Sequence, residues 1–262
     1  MLHEGEGLII PQIGESRLMR DPSVVYGRDG RFHMVWTTSW AGKTIGYASS
    51  SDLIEWSEQK LIPVMEHEPL AQNCWAPEVH YIPEDDLYLI LWSTTILGKF
   101  PETALSNRRF HRNHRIYYTT TKDFETFAPT ELYYDGGYNV IDAALIQEPG
   151  GDWLLFVKNE EYSPKIQKNI RMLRGPTWRG PFGAPSDPIS GDYWAEGPSP
   201  IYIQGQLNVY FDKHDIGRYG MVRTQDLIHW EDLSDQTHFP EHTRHGTFIA
   251  VPRGVAQKLL NY

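Results

Sequence analysis

The sequence predicts an all-β, five-bladed β-propeller. Three observations carry that expectation: a strand-opening signature that recurs five times, the similar internal length of its copies, and the lack of a long segment with helical periodicity. The signature reads RDPSVVY at residues 20–26, WAPEVHY at 75–81, IDAALIQ at 141–147, EGPSPIY at 196–202 and HGTFIAV at 245–251. Aligned on Asp21, Ala76, Asp142, Gly197 and Gly246, the copies stand 55, 66, 55 and 49 residues apart. A four-stranded blade takes roughly 40–50 residues, so this period belongs to radial repetition. From the aligned position to the closing aromatic there are 35 residues in the first copy and 33 in the fourth, and Gly and Pro, 40 residues together, break up any long helix.

Each copy reads as strand, turn, strand, variable loop, strand, and a short segment ending in an aromatic. In the first, residues 23–26 are followed by the turn Gly27-Arg28-Asp29-Gly30. The half-buried alternation of residues 32–36 comes next, then a third strand at 44–49 and a closure ending at Trp56. The second turns at Pro83-Glu84-Asp85-Asp86, continues over 87–92 and closes at Phe127. The third turns at Gly150-Gly151-Asp152, continues over 153–157 and ends at Gly180-Pro181-Phe182. The fourth turns at Gln204-Gly205-Gln206, continues over 207–211 and closes at Trp230. The fifth keeps about 17 residues after Gly246, too few for four strands. Residues near the N-terminus are therefore expected to supply its missing strands and close the ring, giving a single propeller domain over 1–262.

Composition narrows the partners. A net charge of −10 argues against nucleic acid and against an anionic membrane surface, and no segment approaches the ~20 apolar residues of a membrane span. Nine Trp and fifteen Tyr suit a carbohydrate partner, although propeller blades also use such rings to pack. One cysteine, Cys74, excludes an intrachain disulfide and a Cys-rich metal site, and its expected role is that of a small buried apolar residue. The longest apolar run near the N-terminus is Leu8-Ile9-Ile10, well short of a signal-peptide core, so the chain as written is expected to be cytoplasmic. Oligomeric state is not readable from these features.

A single Asp at a strand start is commonly a turn residue. Here Asp21 and Asp142 share the aligned position of blades one and three, and Glu196 falls one residue earlier in blade four. Symmetry about one axis brings the three to the same opening, where crowded like charges in a partly dry pocket raise at least one pKa. Such a cost points to chemistry.

Asp21-Pro22 in the first copy, Trp75-Ala76-Pro77-Glu78 in the second, Asp142 in the third and Glu196-Gly197-Pro198 in the fourth resemble, in order and over nearly the whole chain, the inverting glycoside hydrolases of family 43. That family is a five-bladed propeller. The resemblance implies a general base at Asp21, a residue that orients the acid and modulates its pKa at Asp142, and a general acid at Glu196. It also implies base and acid carboxyls about 6.5–9.5 Å apart, leaving room for the attacking water. Glu196 is expected to hold its proton near neutral pH because Asp142 is close and the pocket is partly desolvated. No cofactor is required. His245, aligned with Glu196, is the one residue the resemblance places beside an axial calcium or sodium ion, with backbone hydrogen bonding as its plainer role.

If the innermost strand begins at the active-site face, the loops between second and third strands line its mouth. These are residues 39–43, 93–114, 159–169 and 212–218. The second is the longest and carries Arg108, Arg109, His111, Arg112 and His114, a cluster that could meet an acidic sugar branch or simply balance nearby acids. Trp40 and Trp75 are the candidates for stacking on a sugar ring, whereas Trp56, Trp178 and Trp230 are expected between blades. Lys158, just past the second strand of blade three, is a lesser candidate for a sugar hydroxyl.

Within the family the resemblance points to an exo-acting enzyme that removes an α-L-arabinofuranosyl unit from plant polysaccharide side chains or oligosaccharides. A β-xylosidase, a galactan-cleaving enzyme and a non-catalytic carbohydrate-binding propeller are the alternatives. Retaining fructosidases share the blade count, but their Asn-Asp-Pro-Asn opening and Glu-Cys motif are absent.

Overall fold

A computed structural model describes residues 7–104 and 112–262. Four antiparallel sheets follow one another along the chain, and each runs outward in sequence order. The first holds β1 (Arg20–Tyr26), β2 (Phe32–Thr37), β3 (Ile45–Ser50) and β4 (Lys60–Ile62). The second holds β5 (Trp75–Ile82), β6 (Leu87–Thr95), β7 (His114–Thr121) and β8 (Glu131–Tyr134). The third has three strands, β9 (Val140–Gln147), β10 (Trp153–Asn159) and β11 (Asn169–Gly175). The fourth holds β12 (Ala195–Ile203), β13 (Gln206–Lys213), β14 (Arg218–Thr224) and β15 (Glu231–Asp232). The innermost strands β1, β5, β9 and β12 contact one another in that order, so the sheets are blades of an all-β propeller. No helix among the described residues is long and apolar enough to cross a membrane.

The core is a series of layers between blades. Val35, Tyr47, Ile90 and Trp92 fill the space between the first and second, while Leu91, Leu145, Leu155 and Trp178 fill that between the second and third. Phe156, Ile170, Val209 and Phe211 fill the next, with Trp230 packed against them. Trp178 and Trp230 thus lie between blades as expected, whereas Trp56 packs on Trp36 and Met34 beneath the N-terminal segment. Cys74 is buried among apolar neighbours, and burial pushes its thiol pKa up.

The repeat is written into the backbone. Asp21, Ala76, Asp142 and Gly197 all adopt left-handed φ, at 51°, 45°, 53° and 61°. The register slips at this point in every blade, between Arg20 and Ser23, Trp75 and Glu78, and Glu196 and Ser199, and opposite Asp142 between Phe156 and Lys158. A bulge re-aims the side chain at its kink, and the symmetry-related bulges bring Asp21, Ala76, Asp142 and, beside Gly197, Glu196 to one cavity. Three closures also share one turn. Ser50, Thr121 and Thr224 accept the backbone N–H of Leu53, Phe124 and Leu227, each of which has positive φ, beside Asp52, Asp123 and Asp226.

The fifth repeat departs from expectation. Residues 245–251 form no strand, and the chain turns into a helix, α1 (Arg253–Leu260), that the sequence reading does not anticipate. The segment instead runs as unpaired chain between the fourth and first blades. Thr247 Oγ1 accepts from Val24 N at 3.2 Å and donates to Pro22 O at 2.9 Å, while Phe248 N donates to Ser199 Oγ at 2.8 Å. Side-chain hydroxyls thus take the polar groups that a ladder would use, and Phe248 stacks on Tyr210 with centroids 3.7 Å apart. Among the described residues, those near the N-terminus do not supply a partner strand either. Ile9, Ile13 and Met19 pack on Met34, Trp36 and Ala48, and Gln59 pins the backbone of Ile10 and Gln12.

Candidate active site

The axial bulges open into a cavity of about 570 Å³ at one end of the propeller. Asp21, Asp142, Glu196, Trp40, Trp75, Lys158 and His245 all line it. Sequence positions 21 to 245 therefore converge on one cup, and the loops between second and third strands supply its mouth through Trp40, Arg112, Tyr162 and His214.

Asp21 accepts a hydrogen bond from Thr37 Oγ1 at 3.0 Å, and its other oxygen stands 3.6 Å from His245 Nδ1. Asp142, 5 % exposed, accepts from Gly197 N at 3.1 Å, which ties it to the backbone beside Glu196. Gly197 leaves room where little exists: a Cβ there would lie 2.4 Å from the His245 ring. The ring therefore rests on the backbone next to Glu196 while facing Asp21. Burial works against a charged His245, yet the carboxyls of Asp21, Asp142, Glu78 and Glu196 together outweigh it and raise its pKa.

Glu196 is gripped by cations. Lys158 Nζ donates to its Oε2 at 2.7 Å, His214 Nδ1 lies 3.0 Å from Oε1, and Arg244 Nη2 lies 3.9 Å away. Burial alone would raise its pKa, but Lys158 and His214 reverse that and hold it well below the usual carboxylate range. Asp142 moves the other way. Burial, with Glu196 and Asp21 nearby, raises it to about 6 against the pull of His245 and Lys158. This corrects the expectation that Glu196 holds the proton in the free protein: its neighbours are the basic groups of Lys158, His214 and Arg244, and of the pair it forms with Asp142, Asp142 is the carboxyl that protonates first.

Lys158 on β10 pairs with Ile141, just before the kink at Asp142, as Thr37 pairs with Arg20 and Ser93 with Trp75 in the first two blades. It also forms an ion pair with Glu160 Oε2 at 2.8 Å, and Glu160 in turn accepts from Lys168. Burial lowers the Lys158 pKa, but Glu160, Glu196 and Asp142 more than offset it. Trp40 is 53 % exposed and meets Trp75 edge to face at 6.0 Å, with Trp75 Nε1 donating to Trp40 O at 3.1 Å. Of the basic loop, Arg112 and His114 line the cavity, and burial drops the His114 pKa to about 3, so that ring is neutral. Arg108, Arg109 and His111 lie outside the described residues.

Sequence reasoning passed over Trp194, His214 and Arg244. Trp194 and His214 lie parallel at 6.5 Å on the rim. Glu196, Asp212 and His214 bring ligand-capable atoms within 4.8 Å of one another, but Arg244 already sits among them. Its Nε donates to Asp212 at 2.5 Å and its Nη2 lies 2.6 Å from His214 Nδ1. That nitrogen can donate to Glu196 or accept from Arg244, not both at once. A guanidinium thus occupies the place of a cation there. His245 offers a single nitrogen beside Asp21, with no cage of oxygens of the kind calcium takes.

A propeller whose axial bulges carry carboxyls into a cup edged with tryptophans belongs to the architecture of sugar-cleaving enzymes. The chain belongs to the family-43-related glycosyl hydrolases, whose model, described as a probable glycosyl hydrolase domain, matches residues 1–254. An alpha-L-arabinofuranosidase of Bifidobacterium longum subsp. longum is 27% identical over 96 residues, 36% of this chain and 9% of that much longer protein. Among solved structures, the alpha-L-arabinofuranosidase of Lactobacillus brevis superposes with a TM-score of 0.64 at 16% identity, covering 86% of this chain and 73% of that one. Xylan beta-1,4-xylosidase of Bacillus halodurans superposes with a TM-score of 0.67 at 15% identity, covering 90% and 47%. At these identities the structural likeness is one of fold.

Proposed function

We propose that the protein is an inverting, exo-acting glycoside hydrolase that releases a terminal α-L-arabinofuranosyl unit from plant polysaccharide side chains or oligosaccharides. The observation that carries this reading is the meeting of Asp21, Asp142 and Glu196 in one cavity, with Trp40 and Trp75 at its edge. The name of the Bifidobacterium relative favours an arabinofuranosyl over a xylosyl unit.

In this scheme Asp21 accepts a proton from water as the water attacks the anomeric carbon, and Glu196 gives a proton to the departing glycosidic oxygen. Asp142 positions the acid through Gly197 N and holds the proton that Glu196 must later carry. Transfer becomes favourable when the sugar, sliding between Glu196 and its cationic partners, takes over hydrogen bonds from Lys158 and His214. No cofactor enters. In this scheme His245, whose pKa the surrounding carboxyls raise, stands where an axial calcium or sodium ion would bring its charge.

The test is a panel of nitrophenyl pentosides and hexosides, with the anomer of the first-formed product followed by NMR. Hydrolysis of the α-L-arabinofuranoside with inverted configuration is expected. Retention of configuration would overturn the inverting mechanism, and no turnover of any glycoside would overturn the hydrolase and leave a sugar-binding propeller.

A further inference from the structure

The charges around the cup do not all find partners. Lys158 meets Glu160 and Glu196, Lys168 meets Glu160, His214 meets Glu196, and His245 faces Asp21. Two further cations line the same cavity, Arg20 and Arg112, and neither has a carboxylate partner among the described residues. The Arg20 guanidinium lies 4.5 Å over the Trp40 ring, and that of Arg112 lies 5.2 Å over Trp75. Its one polar side-chain contact is Asn73 Oδ1, at 3.5 Å. Trp40 and Trp75 touch edge to face, so the two guanidiniums flank one aromatic corner of the mouth.

A neutral sugar stacked on that corner would leave both guanidiniums facing water. A sugar bearing a carboxylate would give them the acceptor they lack, in the planar geometry that arginine recognises best. Arg112 is half-buried and therefore less screened than a surface charge. Asp21 does not need Arg20 as its counter-ion, because Thr37 and His245 already serve its two oxygens.

We infer that Arg20 and Arg112 form a subsite for the carboxylate of a uronic acid, so that the preferred saccharide is an acidic one with its uronate ring against Trp40 and Trp75. This rests on the cavity being the saccharide site. It does not depend on turnover.

The test is calorimetric binding to the full chain of two matched pairs: glucuronosyl-xylotriose with its carboxyl methyl ester, and digalacturonate with its dimethyl ester. In at least one pair the free acid should bind about tenfold or more tighter than the ester, as expected for a charge-assisted hydrogen bond of ~1.5 kcal/mol or more, and the margin should shrink with added salt. Arg112→Gln and Arg20→Gln should each cut the acid-to-ester ratio several-fold. Far-ultraviolet circular dichroism of each variant guards against a misfolded protein. Absence of an acid preference in both pairs, including the case in which no member binds, overturns the inference. So does a variant that weakens acid and ester equally, since that is the mark of an arginine that only stiffens a tryptophan. Loss of the hydrolase reading shows up separately, as no turnover with the acid preference intact.

Discussion

Lys158 Nζ lies 2.7 Å from Glu196 and 2.8 Å from Glu160, so one buried ammonium joins the proposed proton donor of the fourth blade to the loop that leaves the third. Its side chain is 5 % exposed, and those of Glu160 and Glu196 are 11 % and 17 %. Lys158→Met removes the cation and leaves two sparsely solvated carboxylates sharing Lys168 and His214. Breaking a buried pair from one side costs roughly 3 kcal/mol, and urea unfolding at pH 7 should show a loss of that order. Lys158→Arg, which keeps the charge, should lose less.

The acid step needs one proton on the Asp142 and Glu196 pair, and Asp142, raised to about 6, is where it sits in the free protein. Below that pH the pair is loaded, and above it the proton is gone. The alkaline limb of kcat/KM is therefore expected near pH 6. In Asp142→Asn the remaining carboxyl is Glu196, which Lys158 and His214 hold low, so the limb should move to more acidic pH. The drop in kcat should be roughly 10²-fold or more. A pH–rate profile of both proteins checks this, and an unmoved limb would assign the proton elsewhere.

The division of labour between Asp21 and Glu196 predicts different responses to the leaving group. Glu196→Gln should slow hydrolysis of an unactivated oligosaccharide by roughly 10³-fold, but of a dinitrophenyl glycoside far less, because that aglycone departs without a proton. Asp21→Asn should slow both alike. Steady-state kinetics on the two substrates separates the roles, and identical losses in Glu196→Gln would remove it as the acid.

Much of this was legible in the chain for a physical reason: a radial repeat imposes the same backbone kink at the same place in each blade. Asp21, Asp142 and Gly197 could be aligned by eye, and their shared positive φ is what the alignment was reporting. The mouth loops follow from strand direction alone, which is why Trp40 and Arg112 line the cup as expected. The pairing within the cup was not legible. Lys158 and His214 reach Glu196 from other strands, and side-chain reach across an axis leaves no periodic trace. The tail departs for a related reason: His245-Gly246 aligns with Glu196-Gly197, but the residues that follow meet Val24 N and Pro22 O through the Thr247 hydroxyl and Ser199 Oγ through Phe248 N instead of pairing with a neighbouring strand.

Glu78 offers a test of the axis that leaves the reacting groups in place. It is fully buried, accepts from Ser23 Oγ at 2.6 Å, and burial raises its pKa to about 7 despite that hydrogen bond and His245. A carboxyl raised on folding favours the native state while protonated, below its unfolded pKa near 4.5, and that advantage is lost as pH rises through about 7. Glu78→Gln removes the titration. Relative to wild type, the variant should gain stability between pH 5 and pH 8 by up to about 3 kcal/mol, the linkage value of such a shift. Thermal melts at both pH values read it directly, and parallel pH dependence in the two proteins would refute it.

Gly197→Ala should be costly out of proportion to its size. The position has φ of 61° and lacks room for a methyl against the His245 ring. Left-handed strain alone costs about 1 kcal/mol, and displacement of the ring adds to it. A lower melting temperature with a reduced kcat is expected.

The cup is closed by residues from opposite ends of the described chain. The His245 ring arrives on the segment that follows the last blade, and it must insert beside a carboxyl laid down at the very beginning of the first. Only residues 233–245 carry the chain from the last strand, β15, to that ring. Under the proposed mechanism, freeing that stretch from Val24 and Ser199 leaves the four blades packed but takes the histidine away from the carboxyls.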